Sequence, residues 1–407
     1  MGMTEELFQR ALGLSRPWRL ERTRFEESER RLDLYIDFER GGTFTCPECG
    51  RGGCKAYDTT ERSWRHLDFF QHQAFIHARV PRVECPECGV KAVEVPWARP
   101  GSGFTFWFEA LVMALVREMP VAAAARLVRE HDTRLWRIVR HYVAVARAEA
   151  DFSDARAVGL DETASRRGHN YITLFADLER ARLLYATEGR DASVLGRFRL
   201  DLMAHGGDPE QIEELCMDML PAFLQGARTH FPGAEVTFDK FHVLRLLNEG
   251  VDQIRREEQQ DSPELKRTRY IWLKNRGHLR ADQIEKLEAL LRPSSMARKT
   301  ARAYRLKVAF QEFWDLPPNL ADTYLKRWYF WATHSRLPAM IRVARTIKKN
   351  WAGVLHWFHS RISNGMLEAM NSLLQAAKAR ARGYRTVENL IAMAYLVCGK
   401  LDFSLPI

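Results

Sequence analysis

No apolar run in the 407-residue sequence reaches the roughly 18 to 20 residues that a membrane-spanning helix needs. The opening residues, MGMTEELFQRALGLSRPWRL, also lack the charged-then-apolar layout of a secretory signal. These two absences predict a cytoplasmic bacterial protein with no membrane partner. Internal repeats and low-complexity tracts are missing too, which argues against a solenoid or a long disordered tail. Cysteine is scarce outside residues 46–88: only Cys216 and Cys398 remain, and each reads as an ordinary small buried apolar residue. Acid is short relative to base. Against 62 Lys+Arg stand 52 Asp+Glu, a formal charge of +10 and a pI near 9.3, which disfavours acidic proteins and neutral metabolites as partners and favours a polyanion.

What is present is long enough for two to four folding units. The first hundred residues read as β-rich: DLYIDFE alternates Leu34, Ile36 and Phe38 with polar neighbours, and AFIHARVPRVE is also extended. ARPGSG, residues 98–103, is the first candidate linker. FTFWFEALVMALVREM, PVAAAARLVREH and DTRLWRIVRHYVAVARAEA then read as three short helices, the second opening on a proline and the third behind an Asp-Thr cap. From residue 151 strand-like and helical pieces alternate, and from 243 to about 360 the chain is helical and charged. The expected class is a multidomain α+β chain. Its parts are a zinc-ribbon domain at 1–100, a helix-turn-helix at 101–150, and an α/β core in two pieces, 151–242 and 361–407, interrupted by an all-helical insertion at 243–360.

TCPECG and VECPECG are two CxxC knuckles whose Cys46, Cys49, Cys85 and Cys88 suit one tetrahedral structural Zn²⁺. The turn-forming Pro and following Gly in each argue against a redox dithiol. Cys54, His66, His72 and His77 are expected to be spectators. In the third short helix Leu135, Trp136, Val139, Tyr142 and Val143 form one face, while Arg134, Arg137 and His141 lie on another. That division suits a recognition helix in the major groove, as it suits any solvated helix of a basic protein; the neighbouring ribbon and the net charge favour DNA. Two-metal phosphoryl chemistry needs about three carboxylates around paired Mg²⁺ ions. Asp161 ends the apolar run AVGL, and Glu368 heads a helix face continued by Asn371, Gln375, Lys378 and Arg382. With an aspartate at the end of a fourth strand they would complete such a site in an RNase H-like core. The stretch CMDMLPAFLQGARTHFPGAEVTFDKFH offers two candidates for that place, Asp218 and Asp239. Trp272, Trp314, Trp328, Trp331, Trp351 and Trp357 in the helical block are mostly core by expectation, with base stacking as the alternative.

The paired CPEC knuckles, GLDE at 159–162, DMLPAFLQGA with FPGAEVTFDKFHV, RYIWLKN, and SNGMLEAMNSLLQAAKARARGYR together resemble the ISL-three family of insertion-sequence transposases, DDE enzymes with an RNase H-like core. The resemblance spans nearly the whole chain. It implies metal-dependent DNA cleavage and strand transfer at terminal inverted repeats, with Mg²⁺ or Mn²⁺ in a two-metal site. It also implies association with the nucleoid when bound to DNA, and at least a homodimer bridging two element ends and target DNA. Asp161 and Glu368 match the first and last catalytic acids. Counting strands at 155–161, 171–177, 181–187 and 212–217 puts Asp218 at the fourth, although Ile212, Leu215, Cys216, Met219 and Leu220 also fit helical spacing. Asp239 with His242 matches a DxxH pair after the fifth strand, and these two, with Asn371, are expected to support the site or, for Asp239, to replace Asp218 in it. Lys378 and Arg382 are expected to track the DNA backbone. A zinc-containing DNA-binding regulator without catalysis and a plain metal-dependent nuclease are the competing readings.

Overall fold

The computed structural model describes residues 3–166, 168, 170–292 and 298–405, and none of its helices is long and apolar enough to cross a membrane. Two compact units emerge, residues 1–146 with 402–407, and residues 147–401. The first begins with helix α1 (Met3–Ala11) and strands β1 (Trp18–Glu26), β2 (Arg31–Phe38), β3 (Thr43–Phe44), β4 (Cys54–Arg65), β5 (Gln73–Cys85) and β6 (Gly89–Ala92). These form one sheet in the order β1-β2-β5-β4-β3, with β6 paired to β5. Alternation decides its faces: Leu32, Leu34 and Ile36 on β2 and Ala74, Ile76, Ala78 and Val80 on β5 are buried with Trp18, Trp64 and Trp97.

Helices α2 (Phe106–Glu118), α3 (Val121–Leu127) and α4 (Asp132–Ala148) follow as the helix-turn-helix. Thr105 caps α2 by accepting a hydrogen bond from the Phe108 N–H. Residues 98–103, whose composition suggests a linker, are instead held in place. Buried Glu109 accepts hydrogen bonds from Arg99 and Ser102 in that segment and from Tyr142 on α4, and the Gly103 carbonyl accepts from the Arg65 N–H. A fully buried carboxylate requires such partners, and this one draws them from the Pro/Gly-rich turn.

The second unit builds its sheet from β7 (Ala157–Arg166), β8 (Asn170–Asp177), β9 (Arg182–Glu188), β10 (Glu214–Met217) and β11 (Glu235–Phe238) in the order β11-β10-β7-β8-β9. Strands β7, β8 and β9 run antiparallel, while β10 lies parallel to both β7 and β11. Helices α5 (Ser193–Ala204) and α6 (Pro221–His230) connect them, which makes an RNase H-like core. Strand β10 is only four residues long and buried between two parallel neighbours, so it reads as a continuous apolar run without a strand period.

The helical insertion comprises α7 (Lys240–Glu258), α8 (Arg269–Leu273), α9 (Ala281–Leu291), α10 (Arg298–Phe313), α11 (Pro318–Thr333), α12 (Pro338–Lys349) and α13 (Trp351–Ser360). Trp272, Trp314, Trp328 and Trp357 are core, Trp351 is half-buried and Trp331 is exposed. The chain returns to the core through α14 (Gly365–Arg380) and ends with α15 (Val387–Cys398). Helix α14 lies along β7: Asn364 Nδ2 donates to the Leu160 carbonyl (3.3 Å), Gln375 Nε2 to Thr163 Oγ1 (2.8 Å) and Lys378 Nζ to the Ala164 carbonyl (2.7 Å). Arg382 does not continue this face. The helix ends at Arg380, and the chain turns away through left-handed backbone at Arg382 (φ 57°) and Gly383 (φ 96°).

The close approach of α14 to β7 requires a residue without a side chain at position 159. A Cβ there would lie 2.5 Å from Leu367 Cδ1 and 2.7 Å from Leu178 Cδ2. Gly159→Ala is therefore expected to destabilise the protein by about 1–3 kcal/mol through overpacking, seen as a lower midpoint in denaturant unfolding.

Candidate active site

Strand register assembles the site. Cys216 pairs with Gly159, so two residues further on Asp218 comes level with Asp161; Met217 pairs with Phe238, so Asp218 also comes level with Asp239. Three aspartates thus stand in a row across neighbouring strands. Ligand atoms of Asp161, Asp218 and His242 all lie within 4.8 Å of one another. The His242 Nδ1 forms close ion pairs with Asp218 Oδ1 and, at 3.2 Å, with Asp239 Oδ2. Helix α7 makes this possible, because Asp239 is its N-cap and His242 stands one turn later on the same side.

Each carboxylate is oriented separately. Asp161 Oδ1 accepts from the Glu162 N–H (2.8 Å) and its Oδ2 from Asn371 Nδ2 (2.6 Å). Asp218 Oδ2 accepts from Arg245 (3.1 Å), and the fully buried Asp239 accepts from the Asn364 backbone N–H (3.4 Å). Burial first, and then the neighbouring Asp218 charge, push the Asp161 carboxyl up to about 6. Burial opposes the charge on His242, but hydrogen bonding and attraction to Asp218 and Asp239 prevail and raise it to about 9. The buried Asp218 Oδ1 and Asp239 Oδ2 atoms thus face the same His242 Nδ1. Three carboxylates grouped around one imidazole and a largely exposed arginine are a donor set suited to a hard divalent cation.

Glu368 is not among the side chains brought together. It is exposed in the first turn of α14, on the stripe that also carries Asn364, Asn371 and Gln375. A fourth carboxylate turned inward would meet net negative charge, which accounts for its position at the rim.

The cysteine cluster is separate. The sulfurs of Cys46, Cys49, Cys85 and Cys88 lie within 4.8 Å of one another, with Cys49 and Cys85 3.6 Å apart. Tetrahedral Zn²⁺ with bonds near 2.3 Å spaces its sulfurs about 3.8 Å apart, so the four fit. Backbone N–H groups of Glu87 and Cys88 draw the Cys85 thiol down to about 7, while neighbouring thiols, Cys49 first, push Cys88 up to about 12. Cys54 instead donates to the Arg51 carbonyl, His66 pairs with Thr105, His72 rests against Phe25, and His77 bonds Ser63 and Asp33. On α4 the predicted apolar face is buried. Of the polar residues, Arg137 is exposed, Arg134 is held by Glu130 and Phe104, and His141 is half-buried.

A family model of the ISL3 transposase DDE domain matches residues 158–394. The chain belongs to the ISL3 family of transposases. Two further models agree: the helix-turn-helix domain of transposase family ISL3 at residues 93–143, and the zinc-finger of transposase IS204/IS1001/IS1096/IS1165 at residues 42–88. The transposase for insertion sequence element IS1557 of Mycobacterium tuberculosis is 28% identical over 435 residues, covering 98% of this chain and 97% of the relative. The transposase for insertion sequence element IS1001 of Bordetella parapertussis is 25% identical over 397 residues, covering 95% and 96%.

In this ISL3 transposase two residues of the site are not evident from sequence patterns. Asn364 hydrogen-bonds both Leu160 and Asp239, and its signal is its place four residues before Glu368 on one helical stripe. Arg245 reaches Asp218 from one turn beyond His242. Because His242 is the charge that holds Asp218 and Asp239 together, His242→Ala is expected to cost about 3–5 kcal/mol in metal-free protein. Adding Asp239→Asn should recover part of that loss, and urea unfolding of the single and double variants measures both.

Proposed function

We propose that this transposase binds the terminal inverted repeats of its element and carries out Mg²⁺-dependent cleavage and joining of DNA strands, with Asp161, Asp218 and Glu368 as the metal ligands. The observation that carries this reading is the side-by-side presentation of Asp161 and Asp218 from adjacent parallel strands, with ligand atoms of Asp161, Asp218 and His242 all within 4.8 Å of one another. Mg²⁺, or Mn²⁺ in its place, would supply Lewis acidity for in-line displacement at phosphorus. Asn371 and the Glu162 N–H each hold one Asp161 oxygen and so fix the carboxylate beside Asp218. Asp239 and Asn364 anchor His242, which fixes the Asp218 rotamer. Glu368, one turn before Asn371 on α14, completes the set from the rim.

For DNA recognition, Arg134, Arg137 and His141 on α4 read or flank the groove, and Lys378 and Arg382 neutralise backbone phosphates near the cut. Zn²⁺ on Cys46, Cys49, Cys85 and Cys88 ties the tips of the first sheet together. Two or more protomers would bridge the element's two ends and the target. The domain organisation that serves this division is a ribbon at 1–100, helix-turn-helix at 101–150, and a core at 151–242 and 361–407 around the insertion.

Asp161→Asn, Asp218→Asn and Glu368→Gln should each lower nicking of labelled end DNA at least about 100-fold while the gel shift persists, because metal ligands exceed the effect of outer-shell groups. Asp239→Asn should lose less than Asp218→Asn; the reverse ranking would move the second aspartate to position 239. Wild-type protein that shifts end DNA in Mg²⁺ without nicking it would instead identify a regulator. Metal analysis should find one zinc per chain, lost in Cys49→Ser together with a lower melting temperature.

A further inference from the structure

Lys240 and Arg361 approach one indole from the two segments that bracket Asp239. The Lys240 Nζ lies 5.5 Å from the Trp357 ring centroid and the Arg361 Cζ lies 4.6 Å from it. The two cations are thus no further apart than the sum of those distances, and neither has a carboxylate within ion-pair distance among the described residues. Like charges gathered on one ring repel each other, and the ring offsets only part of that. Both also sit where folding alone disfavours them. Lys240 occupies the first turn of α7, the positive end of a 19-residue helix, beside the N-cap carboxylate of Asp239, which His242 and the Asn364 N–H already engage. Arg361 ends α13 in left-handed backbone (φ 54°), a region that favours glycine. Trp357 is itself buried, and its Nε1–H lacks a hydrogen-bond partner among the described residues.

This group of donors adjoins the carboxylates. Lys240 follows Asp239 directly, and Asn364, three residues after Arg361, donates its N–H to Asp239. We propose that Lys240 and Arg361, packed on the Trp357 ring, form a phosphate subsite that grips a phosphodiester of the DNA strand adjoining the bond being cut. The inference rests on the transposase reading and deepens it. A strand that brings one phosphate to the carboxylates brings its neighbours within reach of this cationic pair, and their charge relieves the mutual repulsion of the two side chains. Lys240 and Arg361 act as positioning residues: they hold the strand in register, and the chemistry stays with the acids.

The test uses the full-length protein and a duplex of the element's own end with its flank, unmodified or carrying a single neutral methylphosphonate at each phosphate adjoining the cut in turn. Lys240→Gln/Arg361→Gln should cleave unmodified DNA roughly tenfold or more slowly, with the dependence of affinity on salt reduced by about one to two phosphates. One methylphosphonate position should weaken wild-type binding and cleavage to the same extent and have no further effect on the double variant. Lys240→Arg/Arg361→Lys should restore most of the activity, which separates charge from folding. The proposal is overturned if the glutamine variant keeps the wild-type rate and salt dependence. It is equally overturned if that variant stays as sensitive to every methylphosphonate as the wild type, or if it loses only self-association. Wild-type protein that binds but does not nick would refute the transposase reading instead, and the salt and methylphosphonate comparisons would still report on the subsite.

Discussion

The second unit depends on keeping three aspartates together across adjacent strands, Asp161 in the middle of β7 and Asp218 and Asp239 just past the ends of β10 and β11. At 4 Å and an effective dielectric of 20, two like charges repel by about 4 kcal/mol, comparable to a large part of a domain's net stability. Backbone pairing of β7, β10 and β11 imposes the row, and His242 and Arg245 offset its charge from a single helix. Strand register and the first two turns of α7 are therefore one device. The pairing brings the acids close, and the helix makes that closeness tolerable.

The same constraint explains how a large helical insertion can interrupt the core without disrupting it. The chain leaves the sheet at Asp239 and comes back at Asn364, and these two residues are hydrogen-bonded to each other. Everything between them is a closed excursion whose ends meet beside the carboxylates. Its apolar residues, Trp272, Phe310, Phe313 and Trp328 among them, belong to one hydrophobic core continuous with that of the sheet. The segments where it joins the core carry Lys240 and Arg361, so cationic side chains stand beside the entry and exit of the excursion.

The first unit solves a different problem. The first CPEC turn follows the short β3 and the second joins the long β5 to β6, and Gly50 and Gly89 supply the positive φ those turns require (74° and 72°). Four thiolates at close quarters repel one another unless a cation sits among them. Glu109 gathers the 98–103 segment and α4 onto α2, so the ribbon and the helix-turn-helix form one compact unit.

Much of this was legible in the linear order of residues. Paired knuckles, three short helices of which the third carries a basic face, and the apolar strand run before Asp161 follow from local spacing and turn chemistry, which act over a few residues and leave their mark there. Periodicity could not identify β10, because a four-residue strand buried on both sides has no polar face to alternate with. Nor could it separate Asp218 from Asp239, which parallel pairing makes neighbours and which His242 binds together, so the choice of Asp218 rests on strand order. The outward position of Glu368, the turn that removes Arg382 from the face of α14, and the convergence of Lys240 with Arg361 were decided only in three dimensions. Each depends on charge or backbone delivered by segments distant in the chain, which no local pattern records.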